Sequence, residues 1–459
     1  MMPCTLIYLK SAPLVPQERG LKREWDYINQ KETQVSSMHE HKIETPNEKQ
    51  NRHKAMESVN VLNTLKEGFK TPPKAMDYFY NLFEDVYCNQ KALHKDKVKV
   101  GTMCIQIPSE IIYALDGVPI RLCNGFYTDD EIGSDFLPQK ACPLVKASVG
   151  HLSSKNLTDK PDMIYSPTTC DQKTKAGTLI ASFGYEVVDV DFPRTKESEI
   201  SREFFRRSIR EFSADLSQKM GKKLSRKNLK ASISKIGYAQ SLYHQISEFR
   251  KNKIVPILGN DIFLVTNAFF FDKIDNWIEA TEKLVEELEQ RVKDEVNAAG
   301  KISPRIVYTG SPPIFPNYKI PLIIEDSDGI IVADETCSSN RMFNDRVAVD
   351  EWFVNDMIDS LADKYLKACT CPVFSKNDDR IRRIVELVRS HNADGVIYQA
   401  FAGCTVYELE QRSVLEAMER EGISILYIES DYSPSQHGQL STRVEAFIES
   451  LKIKNRNKK

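Results

Sequence analysis

The chain has 459 residues, of which 41% are hydrophobic, and its 63 Lys and Arg residues against 65 Asp and Glu residues leave a formal charge of -2. This length suffices for two or three domains with their own cores, and the balanced charge excludes the basic field with which many proteins attract nucleic acid. The longest apolar runs, such as 329–333 and 423–428, are far shorter than the ~20 residues that span a bilayer, so no membrane partner is expected.

The amino terminus and the cysteine count predict a cytoplasmic protein. Residues 1–16 are partly apolar but lack a basic leading region and a sustained apolar stretch, so they do not have the pattern of a signal peptide. Ten cysteines in a chain of this length are too sparse for a disulfide scaffold, and a reducing compartment keeps them available as thiolates.

Residues 1–75 predict a poorly ordered polar extension, largely disordered or loosely helical, because they are rich in Lys, Glu, Gln, Asn and His and show no sustained period of 2 or 3.6. Order is expected from about Ala75, where a helix-like segment places Tyr78, Phe83 and Tyr87 roughly on one face.

Residues 76–194 predict a first α/β domain, because short apolar strand-like runs alternate there with helix-like segments. Three cysteines stand just after a strand or just before a helix: Cys104, Cys142 and Cys170. Residues 195–300 are charged and helical in period, and they predict a helical subdomain.

Residues 301–459 repeat the strand–helix alternation and predict a second domain of the same kind. Its cysteines stand in comparable places: Cys337 after a strand, Cys369 and Cys371 at the end of a helix, and Cys404 between a strand and a helix. The predicted fold class is therefore α/β, with two Rossmann-like parallel-sheet domains and a helical subdomain between them. Such folds bind ligands beyond the carboxyl ends of their strands.

These cysteines form two sets of nearly equal span, and the doubling predicts a sulfur-ligated metal cofactor. The first set covers 66 residues and the second covers 67. Soft thiolates repeated without partner histidines suit iron–sulfur chemistry better than a catalytic zinc site. Helix starts beside Cys104, Cys142, Cys170 and Cys404 would also stabilise an anionic cluster.

Other interpretations of the cysteines stay open from the residues alone. Any single one could be a buried core residue, and that is the preferred interpretation for Cys4, Cys88 and Cys123. Structural zinc is disfavoured because the CxC pair is the only close pair of cysteines in the sequence, and structural zinc sites usually use two such pairs. Catalysis by one nucleophilic cysteine is disfavoured because the sequence offers six candidate thiols.

Polar residues near the cysteines carry weaker signals. Helix capping and solvated charge are the preferred interpretation for those in the neighbouring helical turns: Glu110, Lys146, Asp171, Lys173 and Lys175. Support of the site is an equally good interpretation for those that end the last strand: Glu429, Asp431, Tyr432 and Ser433.

From about Lys97 to Leu451 the chain resembles the 2-hydroxyacyl-CoA dehydratase and benzoyl-CoA reductase family, and within it the double-cubane cluster proteins. The motifs that carry the resemblance, in order, are GTMC with IPSEIIYALDGVPIRLC, LPQKACPLVKAS, TTCDQKTK, DETCSS, LADKYLKACTCP and ESDYSPSQHGQLSTRVEAFIES.

The resemblance implies an [8Fe-9S] double cubane, with three thiolates for each four-iron unit, in each subunit of a homodimer; a dehydratase would hold one [4Fe-4S] cluster instead. The expected metal ligands are Cys104, Cys142, Cys170, Cys337, Cys371 and Cys404, with Cys369 also expected to border the cofactor. A separate ATP-hydrolysing iron–sulfur activator is the implied electron donor. The absence of a GxxxxGK[ST] motif in this sequence agrees with ATP hydrolysis on another protein.

The predicted function is ATP-coupled, low-potential reduction of a small-molecule substrate. One alternative is a lyase, a subunit of an (R)-2-hydroxyacyl-CoA dehydratase that removes a hydroxyl group through a ketyl radical. A second alternative is a low-potential electron carrier that has no catalytic role. No substrate-binding motif distinguishes these functions.

Overall fold

The computed structural model describes residues 44–154, 157–300, 302–343, 345–347 and 351–457. Most of the predicted amino-terminal extension, residues 1–43, lies outside this range. The first described elements, up to the end of the first sheet, are α1 Pro46–Gly68, α2 Met76–Tyr87, β1 Lys99–Thr102, α3 Ser109–Ala114, β2 Val118–Arg121, α4 Tyr127–Gly133, α5 Pro143–Ser153, β3 Met163–Pro167, α6 Asp171–Ser182 and β4 Val187–Val190.

Four helices follow and then the second sheet with its helices. These elements are α7 Glu199–Lys219, α8 Arg226–Phe249, α9 Gly259–Ala268, α10 Ile274–Lys293, β5 Arg305–Gly310, α11 Lys319–Asp326, β6 Ile330–Glu335, α12 Asn340–Phe343, α13 Val354–Lys367, α14 Asp378–Ser390, β7 Gly395–Phe401, α15 Thr405–Arg420, β8 Ser424–Ser430 and α16 His437–Arg456. Among the described helices, none combines the length and the apolar character needed to cross a membrane.

Two four-stranded parallel sheets organise the fold, and their strand orders are equivalent. The first sheet has the order β2-β1-β3-β4 and the second has β6-β5-β7-β8. Strands β3, β6 and β7 are buried along their whole length, as in parallel sheets covered on both faces. The predicted α/β fold class is confirmed. In each sheet the chain reverses its direction of winding between the two central strands, where open α/β sheets bind ligands.

The helices of the predicted helical subdomain contribute to the cores of both sheets. Tyr243 of α8 and Trp277 of α10 belong to the apolar cluster that contains β5 and β7. Phe205 and Phe212 of α7 pack instead in a cluster with Tyr165 of β3. Residues 195–300 therefore connect the two α/β units through shared packing.

Helix α1 corrects one expectation, because residues 46–68 are ordered and do not belong to a poorly ordered extension. Thr45 and Glu48 form a reciprocal capping box at its start. Its inward face is partly polar: Gln50 donates a hydrogen bond to Asp129 at 2.7 Å, and Lys54 lies 2.9 Å from the same buried carboxylate. Because the buried face of α1 is partly polar, the sequence has no continuous apolar stripe there, and apolar periodicity does not indicate the helix.

Candidate functional site

The cysteines of both sheets meet where the carboxyl ends of the two sheets face each other. Cys104 and Cys170 follow the central strands β1 and β3, and Cys404 follows β7. The sulfur of Cys337, which follows β6, lies 3.8 Å from the Arg121 guanidinium at the end of β2. Residues more than 200 positions apart in the chain thus line one site.

One contact between the two cysteine sets joins Cys142 and Cys404, whose sulfurs are within hydrogen-bond reach of each other. Gln172 of α6 holds the two backbone segments together. Its amide oxygen accepts a hydrogen bond from the Cys142 N–H at 2.7 Å, and its Nε2 donates to the Gly403 carbonyl at 2.7 Å. The side chain therefore fixes the distance between a cysteine of each set.

A second contact joins the segment after β1 to the end of α13. Gln106 Nε2 donates a hydrogen bond to the Cys369 sulfur at 2.6 Å. One helical turn further, the buried Glu110 carboxylate accepts hydrogen bonds from Lys364 at 3.1 Å and from the Tyr365 hydroxyl at 2.8 Å. Because α13 leads directly into the CxC pair, this ion pair positions Cys369 relative to Cys104.

Two cations face the thiols, and within the described part of the chain neither has a carboxylate partner. Arg121 Nε donates to the Cys123 sulfur at 3.2 Å, and its guanidinium lies over the Phe270 ring. Burial lowers the pKa of Lys173, but negative charge on Cys104 and the neighbouring thiols outweighs that effect and holds the pKa above its ordinary value. Such cations require an anionic partner to offset their desolvation.

A network of buried charged residues centred on Glu335 supports the second set of cysteines. Glu335, two residues before Cys337, accepts hydrogen bonds from Arg341 Nη2 at 2.8 Å, from Arg380 and from the Thr370 hydroxyl. Thr370 is the residue between Cys369 and Cys371. One carboxylate thus ties both cysteine-bearing segments to the same point.

The expectation of solvated charge is wrong for three of the polar residues near the cysteines, one of which is Lys173, whose ammonium faces the thiols as described above. Glu110 is 1% exposed and paired as described above, and Lys146 is buried with its Nζ 3.0 Å from Asp130. The expectation of solvated charge is correct for Asp171 and Lys175, which are exposed.

The four residues that end the last strand are divided between surface and support. Tyr432 is buried and donates its hydroxyl to the Asn124 carbonyl at 2.8 Å, near Cys142. Asp431 and Ser433 accept hydrogen bonds from Lys319 through their backbone oxygens. Glu429 is exposed.

Cys123, for which the sequence favours a core role, lies in the same group of thiols. Its sulfur accepts the hydrogen bond from Arg121 and is close enough to interact with Cys142 and Cys337. The available signal was topological: Cys123 follows β2, the neighbour of β1, at the same end of the sheet. Cys88 lies elsewhere, with its sulfur 3.8 Å from the Ala55 carbonyl, and Cys4 is outside the described residues.

A cavity with about 850 Å³ of atom-free space, part of it open to solvent, borders Cys104 and Cys369. Its polar lining includes Gln106, Arg121, Gln240 and Arg341 together with Asp345 and Lys364. Its apolar lining includes Ile107, Ile236, Phe269, Phe270 and Phe343. The site therefore combines thiols, cations and an apolar wall.

The donor set is suited to a polynuclear iron–sulfur cluster. Among the described residues, no group of three or more His, Cys, Asp or Glu side chains converges as a single-ion site does. A cubane takes one thiolate at each of several irons, so its ligands need not converge on one point. Arg121 and Lys173, which have no carboxylate partner in the described chain, and the Gln106 N–H, which points at a sulfur, would also stabilise an anionic, sulfur-rich cofactor.

The chain matches the family model described as 2-hydroxyglutaryl-CoA dehydratase, D-component, over residues 104–451. It is 30% identical over 366 residues to the YjiM protein of Escherichia coli (strain K12), whose name describes a dehydratase subunit, covering 77% of this chain and 91% of that protein. It is 22% identical to the (R)-phenyllactyl-CoA dehydratase beta subunit of Clostridium sporogenes, covering 82% and 99%. It is 21% identical to a benzoyl-CoA reductase subunit of Thauera aromatica, covering 77% and 91%.

Proposed function

This chain belongs to the 2-hydroxyglutaryl-CoA dehydratase D-component family, and from that premise we propose that it is an iron–sulfur reductase that holds an [8Fe-9S] double cubane. The observation that carries the proposal is the meeting of two complete cysteine sets at the facing carboxyl ends of the two sheets. A single four-iron cluster on three thiolates would leave the second set without a role.

The ligands in this proposal are Cys104, Cys142, Cys170, Cys337, Cys404 and one member of the Cys369/Cys371 pair. When bound, the cluster supplies single electrons at low potential. Arg121 and Lys173 offset its negative charge, because they already face the thiols and have no carboxylate partner in the described chain. The Glu335 network keeps the second set of ligands in place.

The substrate in this proposal is a small molecule that enters the cavity beside Cys104 and Cys369. Apolar residues on one side of the cavity exclude water from the thiols, and Arg121 presents positive charge to a polar or anionic substrate group. A separate ATP-hydrolysing iron–sulfur activator donates the electrons, the working form is a homodimer, and the location is the cytoplasm.

The second candidate is a subunit of an (R)-2-hydroxyacyl-CoA dehydratase, a lyase with one [4Fe-4S] cluster. The relative from Clostridium sporogenes favours it, because that protein is named as a dehydratase beta subunit and aligns over 99% of its length. In this alternative one cysteine set holds the cluster and the other set is structural.

Iron and acid-labile sulfide quantitation on anaerobically purified protein tests the proposal. A double cubane gives about eight iron atoms for each chain, and a dehydratase-type site gives about four. Saturation at four after reconstitution would favour the lyase. Bound zinc without iron would overturn both candidates.

A further inference from the structure

The CxC pair offers two thiols for one ligand position, and the contacts of the two sulfurs differ. The Cys369 sulfur receives hydrogen bonds from Gln106 Nε2 and from the Cys371 N–H, and the two thiols of the pair contact each other. Apart from its contact with Cys369, the Cys371 sulfur receives one hydrogen bond, from the Val373 N–H. Convergent donors favour a sulfur that carries negative charge, and they converge on Cys369.

Gln106 supports the same choice. Its side chain is 1% exposed, and its Oε1 has no hydrogen-bond partner although it is buried. A buried amide whose acceptor oxygen has no hydrogen bond is costly. In the described structure, the only hydrogen bond of this amide is the one that its Nε2 donates to the Cys369 sulfur. A thiolate is a much better acceptor for that N–H than a neutral thiol.

Hydrogen bonds to neighbouring side chains also fix the backbone around Cys369. The Lys196 ammonium donates to the Cys369 carbonyl and to the Asp379 carboxylate, and the Thr370 hydroxyl donates to Glu335. Cys369 also lines the cavity together with Cys104, whereas Cys371 is not part of the lining.

We infer that Cys369, rather than Cys371, is the cluster ligand of the pair and that Gln106 is its positioning residue through an N–H···S hydrogen bond. The inference rests on the proposed iron–sulfur function. It replaces Cys371 in the ligand set expected from the sequence. Because Gln106 follows Cys104 by two residues, the hydrogen bond connects a ligand of the first set directly to a ligand of the second.

Single serine variants test the choice of ligand. Anaerobically purified Cys371→Ser should keep the iron content of the wild type, and Cys369→Ser should lose iron, because serine is a harder and less readily ionised ligand. The opposite result would overturn the inference. Equal, full iron content in both variants would overturn it too.

Gln106→Leu tests the positioning role, with Gln240→Leu as the matched control. Gln240 is also buried, at 2% exposure, and lines the same cavity, but no hydrogen bond joins it to a thiol in the described structure. In an anaerobic redox titration, Gln106→Leu should shift the cluster to a more negative potential, since hydrogen bonds to sulfur stabilise the reduced state. An unchanged potential, or an equal shift in Gln240→Leu, would overturn the role. If Gln106→Leu does not accumulate, the unbranched Gln106→Met replaces it.

A readout on iron-free protein separates failure of this inference from failure of the proposed function. Alkylation of Cys369 by iodoacetamide is followed by tandem mass spectrometry of the tryptic peptide 368–376, which distinguishes it from Cys371. Loss of the Gln106 hydrogen bond should lower the population of the Cys369 thiolate about tenfold. Each remaining thiolate is more nucleophilic, which offsets part of that decrease, so Gln106→Leu should slow alkylation about threefold. An unchanged rate overturns the role of Gln106. Wild-type protein that never binds iron overturns the proposed function instead.

Discussion

The backbone of Gly403 lies directly against the carbonyl oxygen of Lys140, so closely that a methyl group at position 403 would overlap that oxygen. Gly403 has a φ of +80°, which residues with a Cβ rarely adopt. Lys140 is two residues before Cys142, and Gly403 is one residue before Cys404. The close backbone contact therefore lies beside both cysteines and allows the two segments to approach each other.

Gly403→Ala should separate Cys142 from Cys404 and weaken cluster binding. The steric overlap and the unfavourable φ together should cost about 3 kcal/mol of the free energy of unfolding, and iron content should fall. Gly422→Ala is the control, because Gly422 also has a positive φ, +67°, but nothing lies within 4 Å of its added methyl group. That variant should lose about 1 kcal/mol and keep its iron. Equal iron content in both variants would contradict the prediction.

Replacement of the expected ligands one at a time should identify the double cubane. Cys104→Ser, Cys170→Ser or Cys337→Ser should each reduce iron from about eight to about four atoms or fewer for each chain. Cys88→Ser should leave iron unchanged, because its sulfur packs against α1, 3.8 Å from the Ala55 carbonyl. Iron analysis and the visible absorbance spectrum measure the outcome. Unchanged iron in Cys337→Ser would argue for a single cluster on the first set.

Cys123→Ser is expected to keep the cluster but change its spectrum or potential. The sequence alone assigns Cys123 no role at the site, yet its sulfur shares Arg121 with Cys337. Replacing it should release guanidinium donors toward Cys337 and alter the charge near the cluster. Electron paramagnetic resonance of the reduced protein checks this prediction. A spectrum identical to the wild type, at equal iron content, would restore the core interpretation of Cys123.

Reduction of the cluster should require a separate activator and ATP hydrolysis. A mixture of the chain, an activator of this family, dithionite and ATP should show bleaching of the cluster absorbance and reduction of a small probe substrate. A non-hydrolysable ATP analogue should stop both, because the nucleotide acts on this chain only through differential affinity of the partner. Full turnover with dithionite alone would leave an ordinary electron carrier as the better description.

Stability should decrease with rising pH because of two neighbouring buried carboxyl groups. Burial raises the pKa of Asp261 to about 7, against smaller opposing effects of Tyr80 and Arg291, and burial likewise raises the pKa of the nearby Glu325 to about 7. The folded state then binds more protons than the unfolded state between about pH 4 and pH 7, so the contribution of these two groups to stability is fully present below pH 4 and is lost as pH rises to 7.

Asp261→Asn should remove the part of this loss that comes from Asp261. The variant should melt a few degrees higher than the wild type at pH 8 and at nearly the same temperature at pH 4, because the Tyr80 hydroxyl keeps its acceptor. Asp77→Asn, an exposed position on α2, is the control and should not change the pH dependence. Calorimetry at pH 4 and pH 8 provides the measurement, and an equal gain at both pH values would contradict the assignment.

The amino-acid sequence by itself determined the order of strands and helices and the places of the cysteines in that order. Parallel α/β architecture follows from local patterns, since apolar runs, helix caps and strand–helix alternation each involve neighbouring residues. Because a parallel sheet brings the carboxyl ends of its strands to one edge, the convergence of Cys104 and Cys170 was also predictable.

Only the tertiary structure decided which side chains meet across the two sheets. The partners of Gln106 and Glu110 lie more than 250 positions away, at Cys369 and Lys364, and no local pattern encodes such pairs. Helix α1 shows the same limit, since its buried face is polar and becomes favourable only because Asp129 lies opposite it. Long-range polar contacts depend on the position of both partners in space, and that position exists only once the chain has folded.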